Sequence, residues 1–395
     1  MDLGDMSLTD SPSTPRKYVF PANTIVPANG YLLVSADSVT AQPGLHALFA
    51  LDAAGESVHL HARPADGGGV IDEVAFGSQI TDLSISRTAA DPTRWALTAP
   101  TLGGPNLNSR ALAAPADLRI NEWAGNTRYR LDDDFVELFN KSSSPAALGG
   151  MRLTSDIANF PNQSVFQPLS FLPGNSHLLL DSNALGTKLD GNFGFISLVA
   201  QNSEIIDQVS IVSQFGDRST GRITDGADTY AEFPIPSPGM SNTTAPAGYT
   251  GLLDQLRITE VMAVPSGGGN YEFVELQNIG TSPLNLSGVR FTKGISYTYP
   301  DGVMLAPGEF SVVCRDRSAF VSRHPEVALA LAPEAFTGAL DNSGETLTLT
   351  LPAPWDVHIL NFRFVPAWFT ETYQNGRSLT IIAARAAAAA PARPS

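Results

Sequence analysis

The chain repeats itself at domain scale. Residues 118–123 read LRINEW and residues 256–261 read LRITEV, while DFVELFN at 134–140 is answered by EFVELQN at 272–278. In both copies the second glutamate follows the first by the same interval, Glu122 to Glu137 and Glu260 to Glu275. PAALGGMRLT (145–154) answers PLNLSGVRFT (283–292), and LGDMSLT at the start of the chain matches the core of both. VPANGYLLV (26–34), LPGNSHLLL (172–180) and LAPGEFSVV (305–313) form a further set, as do SISR (84–87), STGRI (219–223) and NGRSL (375–379). Leu3, Leu148 and Leu286 mark the register, with a period of roughly 140 residues, which is domain-sized rather than a solenoid repeat.

The repeat divides the chain into three units of one kind, 1–108, 117–242 and 256–384. Residues 109–116 and 243–255 join them as exposed Ala/Pro- and Thr/Ala/Pro/Gly-rich linkers, and 385–395 is a low-complexity tail. The first copy begins late and lacks the LRINEW and DFVELFN segments. The third fades without the closing signal that the others carry as TLGGPNLN (101–108) and SPGMSN (237–242), so both ends read as truncated or altered.

Within each unit, apolar residues alternate over short runs that end at Gly, Pro, Asn or Asp, the pattern of half-buried strands joined by turns. Val136 and Leu138, like Val274 and Leu276, mark the core face of a strand, and Glu137 and Glu275 point the other way. One helix is predicted at 315–325, ending before Pro325. The expected fold is all-β: tandem immunoglobulin-like antiparallel β-sandwich domains of about seven strands each.

A net charge of −15, with no Lys/Arg cluster, argues against nucleic acid as a partner. No apolar run is long enough to span a bilayer. The opening MDLGDMSLTD has neither the basic nor the apolar region of a signal peptide. Cys314 is the single cysteine, so no intrachain disulfide forms, a count compatible with cytosolic and exported proteins alike.

The polar residues that recur are Glu122, Glu137 and Asn140 in one copy and Glu260, Glu275 and Asn278 in the other. Paired carboxylates serve acid/base chemistry, but no His, Lys or nucleophile recurs beside these, so a structural role as hydrogen-bond acceptors is expected. Asp132, Asp133 and Asp134 supply hard oxygens for calcium, yet the other copy replaces them with GGGNYE, and a solvated loop is the expectation. His59 and His61 share one face of a predicted strand, with His46 the nearest third ligand for zinc; an exposed strand face is expected instead. Cys314 is expected at a strand end, partly exposed and without a catalytic partner. Trp95, Trp123, Phe135 and Phe139 are candidates for a recognition surface. No catalytic residue, metal or cofactor is assigned.

The ordered set INEW, DFVELFN, LGGMRLT, LPG and PSPGMSN resembles the lamin tail domain as it occurs in bacterial proteins. The second copy matches throughout, the third except at its close, and the first from its third motif onward. The resemblance implies an immunoglobulin-like sandwich without catalytic activity of its own, found in tandem within exported multidomain proteins. It implies an extracellular or cell-surface location and a protein or cell-surface partner. The expected function is a structural, spacer or interaction region. The alternatives are the accessory region of a larger extracellular nuclease, phosphoesterase or spore-coat-type kinase, and a calcium-dependent adhesion module.

Overall fold

The computed structural model describes residues 1–37, 39, 42–214, 216–368 and 376–381. The tail at 385–395 lies outside the described residues, as do parts of 369–384. The chain divides into two compact units. The first holds Met1–Trp123, Phe135–Ser213 and Thr224–Thr229; the second holds Ala124–Asp134, Gln214–Ile223 and the chain from Tyr230 onward.

The second unit contains a sandwich. One sheet runs, in order, Phe310–Cys314, Phe273–Asn278, Leu256–Met262 and Leu379–Thr380; the other runs Thr337–Gly338, Ile295–Thr298, Arg290–Lys293, Thr346–Thr350 and His358–Arg363. Every neighbouring pair in both is antiparallel. Leu256, Ile258, Val261, Val274, Leu276 and Val313 from the first sheet meet Phe291, Ile295, Tyr297, Leu347 and Leu349 from the second in one apolar core. Each such side chain contributes roughly 1.5–3 kcal/mol by leaving water, which is why the Val/Leu face of FVEL turns inward.

Simple alternation does not account for LRITEV. Ile258 and Val261 are three residues apart, yet both are buried in the core. A bulge reconciles them: Ile258 pairs with Leu276 and Glu260 with Glu275, so Thr259 is the extra residue. In the first unit Leu118, Ile120 and Trp123 reach their core with the same spacing.

The first unit carries Leu118–Ala124, Phe135–Asn140 and His177–Asp181 as one set of neighbouring strands. Ser164–Val165, Arg152–Thr154, Phe193–Val199 and Ile205–Val212 form a second sheet. Leu118, Ile120, Val136, Leu138 and Leu180 face Leu153, Ile196, Leu198, Val209 and Ile211 across the core. Residues of the first repeat add a sheet ordered Tyr18–Val19, Ser7–Thr9, Glu56–His61 and Val70–Phe76. They also add a parallel pair, Val34–Asp37 with Leu45–Leu48, and a hairpin, Ser84–Arg87 with Trp95–Thr98.

The register leucines sit in the same turn three times. Leu3, Leu148 and Leu286 carbonyls accept from Met6, Met151 and Val289, each at 2.9 Å. The third turn residue has positive φ in each case: Asp5 (67°), Gly150 (74°) and Gly288 (74°). That backbone favours Gly and tolerates Asp, which explains LGGM, LSGV and LGDM.

Two sequence expectations change and one is borne out with narrower bounds. More than seven strands form in the second repeat, because short bridging strands such as Ala146–Ala147 with Phe171–Leu172 add to the main ladders. The predicted helix exists as Arg317–Arg323, with the Asp316 side chain capping Ala319 N–H at 3.0 Å. The linker at 243–255 is not exposed throughout: Tyr249–Gln255 is a helix whose Leu252 and Leu253 enter the core of the second unit. Gly251 lets it approach, since a Cβ there would lie 3.3 Å from Leu284 Cδ2.

Candidate functional site

The recurring asparagines end their strands in the same way. Asn140 is fully buried. Its Nδ2 donates to the carbonyls of Ser144 (2.8 Å), Pro173 (3.0 Å) and Leu172 (3.3 Å), and its Oδ1 accepts from Ser142 N–H (3.1 Å). Asn278, equally buried, donates to Ser282 (2.8 Å) and Leu305 (2.9 Å) and accepts from Gly280 N–H at 2.9 Å. One carboxamide thus satisfies main-chain groups of the following turn and of the small strand beside it, groups that would otherwise be buried without partners.

A second asparagine closes the repeats. Asn242 Nδ2 donates to Arg222 O at 2.9 Å, and Ser237 Oγ reaches its Oδ1 at 3.2 Å. Asn106 donates to Arg87 O at 2.8 Å, with Thr101 Oγ1 at 3.4 Å from its Oδ1. The closing motif therefore ties the end of the repeat to the arginine of SISR or STGR. Sequence reasoning found the motif but not its partner, because the hydrogen bond spans a hairpin.

The glutamates lie on the sheet face opposite the core. In the first unit Glu122 and Glu137 are fully buried, and Asn121 Nδ2 donates to Glu137 Oε1 at 2.9 Å and to Asp225 Oδ1 at 3.0 Å. The turn containing Asp225 folds over this face, with Gly226 N–H donating to Asn121 Oδ1 at 3.0 Å. His177 packs on Phe139 with ring centroids 4.7 Å apart, and its Nε2 lies 3.2 Å from Asp225 Oδ2. Burial pushes the His177 ring down, but Asp225 and the charges of Glu137 and Glu122 outweigh it, so the ring titrates above its ordinary value.

In the second unit Thr259, turned by the bulge, donates to Glu275 Oε1 at 2.6 Å, and Ser378 hydrogen-bonds Glu260. Burial raises the Glu275 carboxyl above the usual range, and the facing Glu260 adds to the effect. Glu272, just before the strand, is also raised by burial although Leu340 N–H (2.9 Å) and Arg315 (3.1 Å) bind it. Sequence reading missed Glu272, which holds a loop as its counterpart Asp134 does.

The aspartate run separates. Asp132 is exposed and pairs with Lys293 Nζ at 3.0 Å, and Asp133 Oδ1 accepts from Asp134 N–H at 2.9 Å. Asp134 corrects the solvated-loop expectation: it is buried and accepts from Thr127 N–H (3.0 Å) and Oγ1 (2.6 Å). Among the described residues no three His, Cys, Asp or Glu side chains come together to hold a metal ion.

His59 and His61 are buried, not on an exposed face. His59 contacts Ser57 Oγ (2.8 Å) and Glu73 Oε2 (3.1 Å), whereas His61 contacts Gly68 O at 3.2 Å. His46 lies apart, bonded to Asp37 at 2.8 Å. Cys314 is fully buried with Phe273, Val312 and Phe320, because the capped helix covers that face; burial pushes its thiol up, away from reactivity. The aromatic candidates are likewise inside: Trp123, Phe135 and Phe139 are buried, and Trp95 is half-buried beneath the Arg87 guanidinium, 4.9 Å from its ring centroid. An open groove of about 530 Å³ lined by Asp2, Asp5, Phe20 and Arg63 contains none of the candidate site residues named from the sequence. No described helix is long and apolar enough to cross a membrane.

Residues 253–357 match the model of the Lamin Tail Domain family, an immunoglobulin-like module. The match begins in the helix before LRITEV and ends just ahead of the edge strand His358–Arg363, covering the larger part of one copy of the repeat. Comparisons with curated proteins and with solved structures find no match.

Proposed function

We propose that the chain is a non-catalytic array of lamin-tail-like β-sandwich domains at 1–108, 117–242 and 256–384. It serves as a structural, spacer or interaction region of an exported or surface-associated bacterial multidomain protein. The family match at 253–357 supports one such domain. The observation that carries the reading to the rest of the chain is the reuse of one set of devices: the Leu-x-x-apolar turn three times, and the strand-end asparagine at Asn140 and Asn278. The residues that recur bond to the protein's own main chain and side chains, which is the signature of a scaffold.

Purified full chain is expected to show no turnover of chromogenic phosphodiesters or phosphomonoesters with added divalent metal. Turnover that Glu137→Gln or Glu275→Gln abolishes, at unchanged stability, overturns the non-catalytic reading. In intact producing cells, added protease is expected to reach the protein; protection until lysis contradicts the surface assignment.

A further inference from the structure

A sheet ends on a strand whose outer row of main-chain N–H and C=O groups has no partner, and proteins guard such edges with charge or a cover. In the three repeats the equivalent sheets end on Val70–Phe76, Ile205–Val212 and His358–Arg363. Val70–Phe76 carries Asp72 and Glu73, and Asp72 is tied to Arg87 at 2.7 Å. His358–Arg363 is covered at its start, where His358 N–H donates to Arg130 O at 2.8 Å. Ile205–Val212 has neither guard. At eight residues it is the longest strand described. Its one charge, Asp207, is turned back on its own domain and accepts from Ile120 N–H at 2.8 Å. From 208 to 212 the strand is uncharged, and among the described residues no strand pairs with its outer edge.

Apolar side chains stand in solvent along this edge. Phe193 and Val212 are paired across the hairpin and are 78% and 66% exposed. Phe195, on the same face and opposite Ser210, is 47% exposed, while Val209 and Ile211 on the other face are buried in the core. Exposed apolar residues beside an unpaired ladder mark a docking site. The occupant follows from the strand's own pattern, which is complementary to itself. Turned antiparallel about an axis at Ser210, the strand sets Ser210 against Ser210 of a second copy, Val209 against Ile211 and Gln208 against Val212. Core-facing residues then meet core-facing residues, and solvent-facing ones meet solvent-facing ones, so both faces run on unbroken. Asp207 and the register irregularity beside it fall outside the paired residues. Ser210 is small, which leaves room for Phe195 of each copy to close over the seam. With a net charge of −15 two copies repel on approach, and this uncharged edge is where they meet at least cost. A basic or acidic partner finds no charge here to pair with.

We propose that the chain pairs with a second copy of itself through Ile205–Val212, antiparallel about Ser210, so that two four-stranded sheets become one continuous sheet. Main-chain hydrogen bonds supply the attraction, and Phe193, Phe195 and Val212 of both copies add buried apolar surface. The contact uses the same patch on each copy and therefore closes at two. Self-pairing stands apart from the scaffold role: a chain that stays single is still a non-catalytic array.

Sedimentation equilibrium of the full chain from micromolar to millimolar concentration tests the pairing, with hydrogen exchange read at 208–212. The mass is expected to rise from one chain to two. At a total concentration about ten times the dissociation constant, about a fifth of the chain stays single, so outward amides at 208–212 gain about fivefold protection. Ser210→Lys is expected to weaken pairing about tenfold or more, because two ammonium groups meet at the axis. Ser210 is exposed, and unchanged far-UV circular dichroism checks that the variant folds. Exchange in the wild type reads the same edge without any substitution. A chain that stays single at millimolar concentration overturns the proposal. So does a dimer whose added protection lies away from 208–212, or one that the folded Ser210→Lys variant forms as readily as the wild type.

Discussion

Asn278→Ala lowers the stability of the second unit by about 3 kcal/mol, and Asn140→Ala does the same in the first. Alanine removes the donor to Ser282 and Leu305 and the acceptor for Gly280 N–H, all at a strand end where Asn278 is fully buried. A buried polar group left without a partner costs roughly 1–3 kcal/mol, and partial relaxation or entry of water recovers part of the sum. Asn278→Asp keeps the acceptor but buries a charge, so it is expected to be no milder. Hydrogen exchange on the full chain reads each unit separately. A loss below about 0.5 kcal/mol, the range of ordinary surface substitutions, means that the asparagine is not the staple described.

The two carboxylates earlier in the same segment, Glu272 and Glu275, are expected to behave in opposite ways. Glu272→Ala removes the acceptor of the buried Leu340 N–H and of Arg315, and is expected to cost about 2–3 kcal/mol. Glu275→Gln keeps an oxygen for Thr259 Oγ1 but removes a charge facing Glu260, and is expected to stabilise the second unit by up to about 1 kcal/mol at neutral pH. The pH dependence follows from the raised carboxyls. A group whose folded pKa exceeds its unfolded value, here 4.5, contributes stability that is fully present below the unfolded pKa and lost as pH rises through the folded one. Glu272 and Glu275 therefore make this unit less stable as pH rises above that value, and Glu275→Gln is expected to flatten the slope. Urea melts of wild type and variant across that range check it; an unchanged slope contradicts the assignment to Glu275.

The legible parts of the fold were those encoded locally. Gly and Asp at the positive-φ turn position, alternation in FVEL, and Asp316 ahead of an apolar helical stretch each act within a few residues. The bulge at Thr259 was not legible, because it is set by pairing with a strand more than ten residues away and breaks the alternation that marks a strand. The burial of Cys314, His59 and His61 depends on what covers each sheet face, which period-two patterning leaves open. The helix Tyr249–Gln255 was hidden by Gly251, a residue that disfavours helix but permits close packing on Leu284. At the site, Asn140, Asn278 and the four glutamates were visible because they recur. Asn121, His177 and Asp225 were not, since their association is made across strands and by a returning turn.

The repeated segment, as proposed, is an autonomous sandwich. Residues 117–242 expressed alone test it most directly, with Trp123, the single tryptophan of that segment and buried in its core, as the reporter. One sigmoidal urea transition, seen alike by tryptophan fluorescence and by far-UV circular dichroism, is expected. A gradual, non-cooperative loss of signal, or transitions that differ between the two probes, contradicts it.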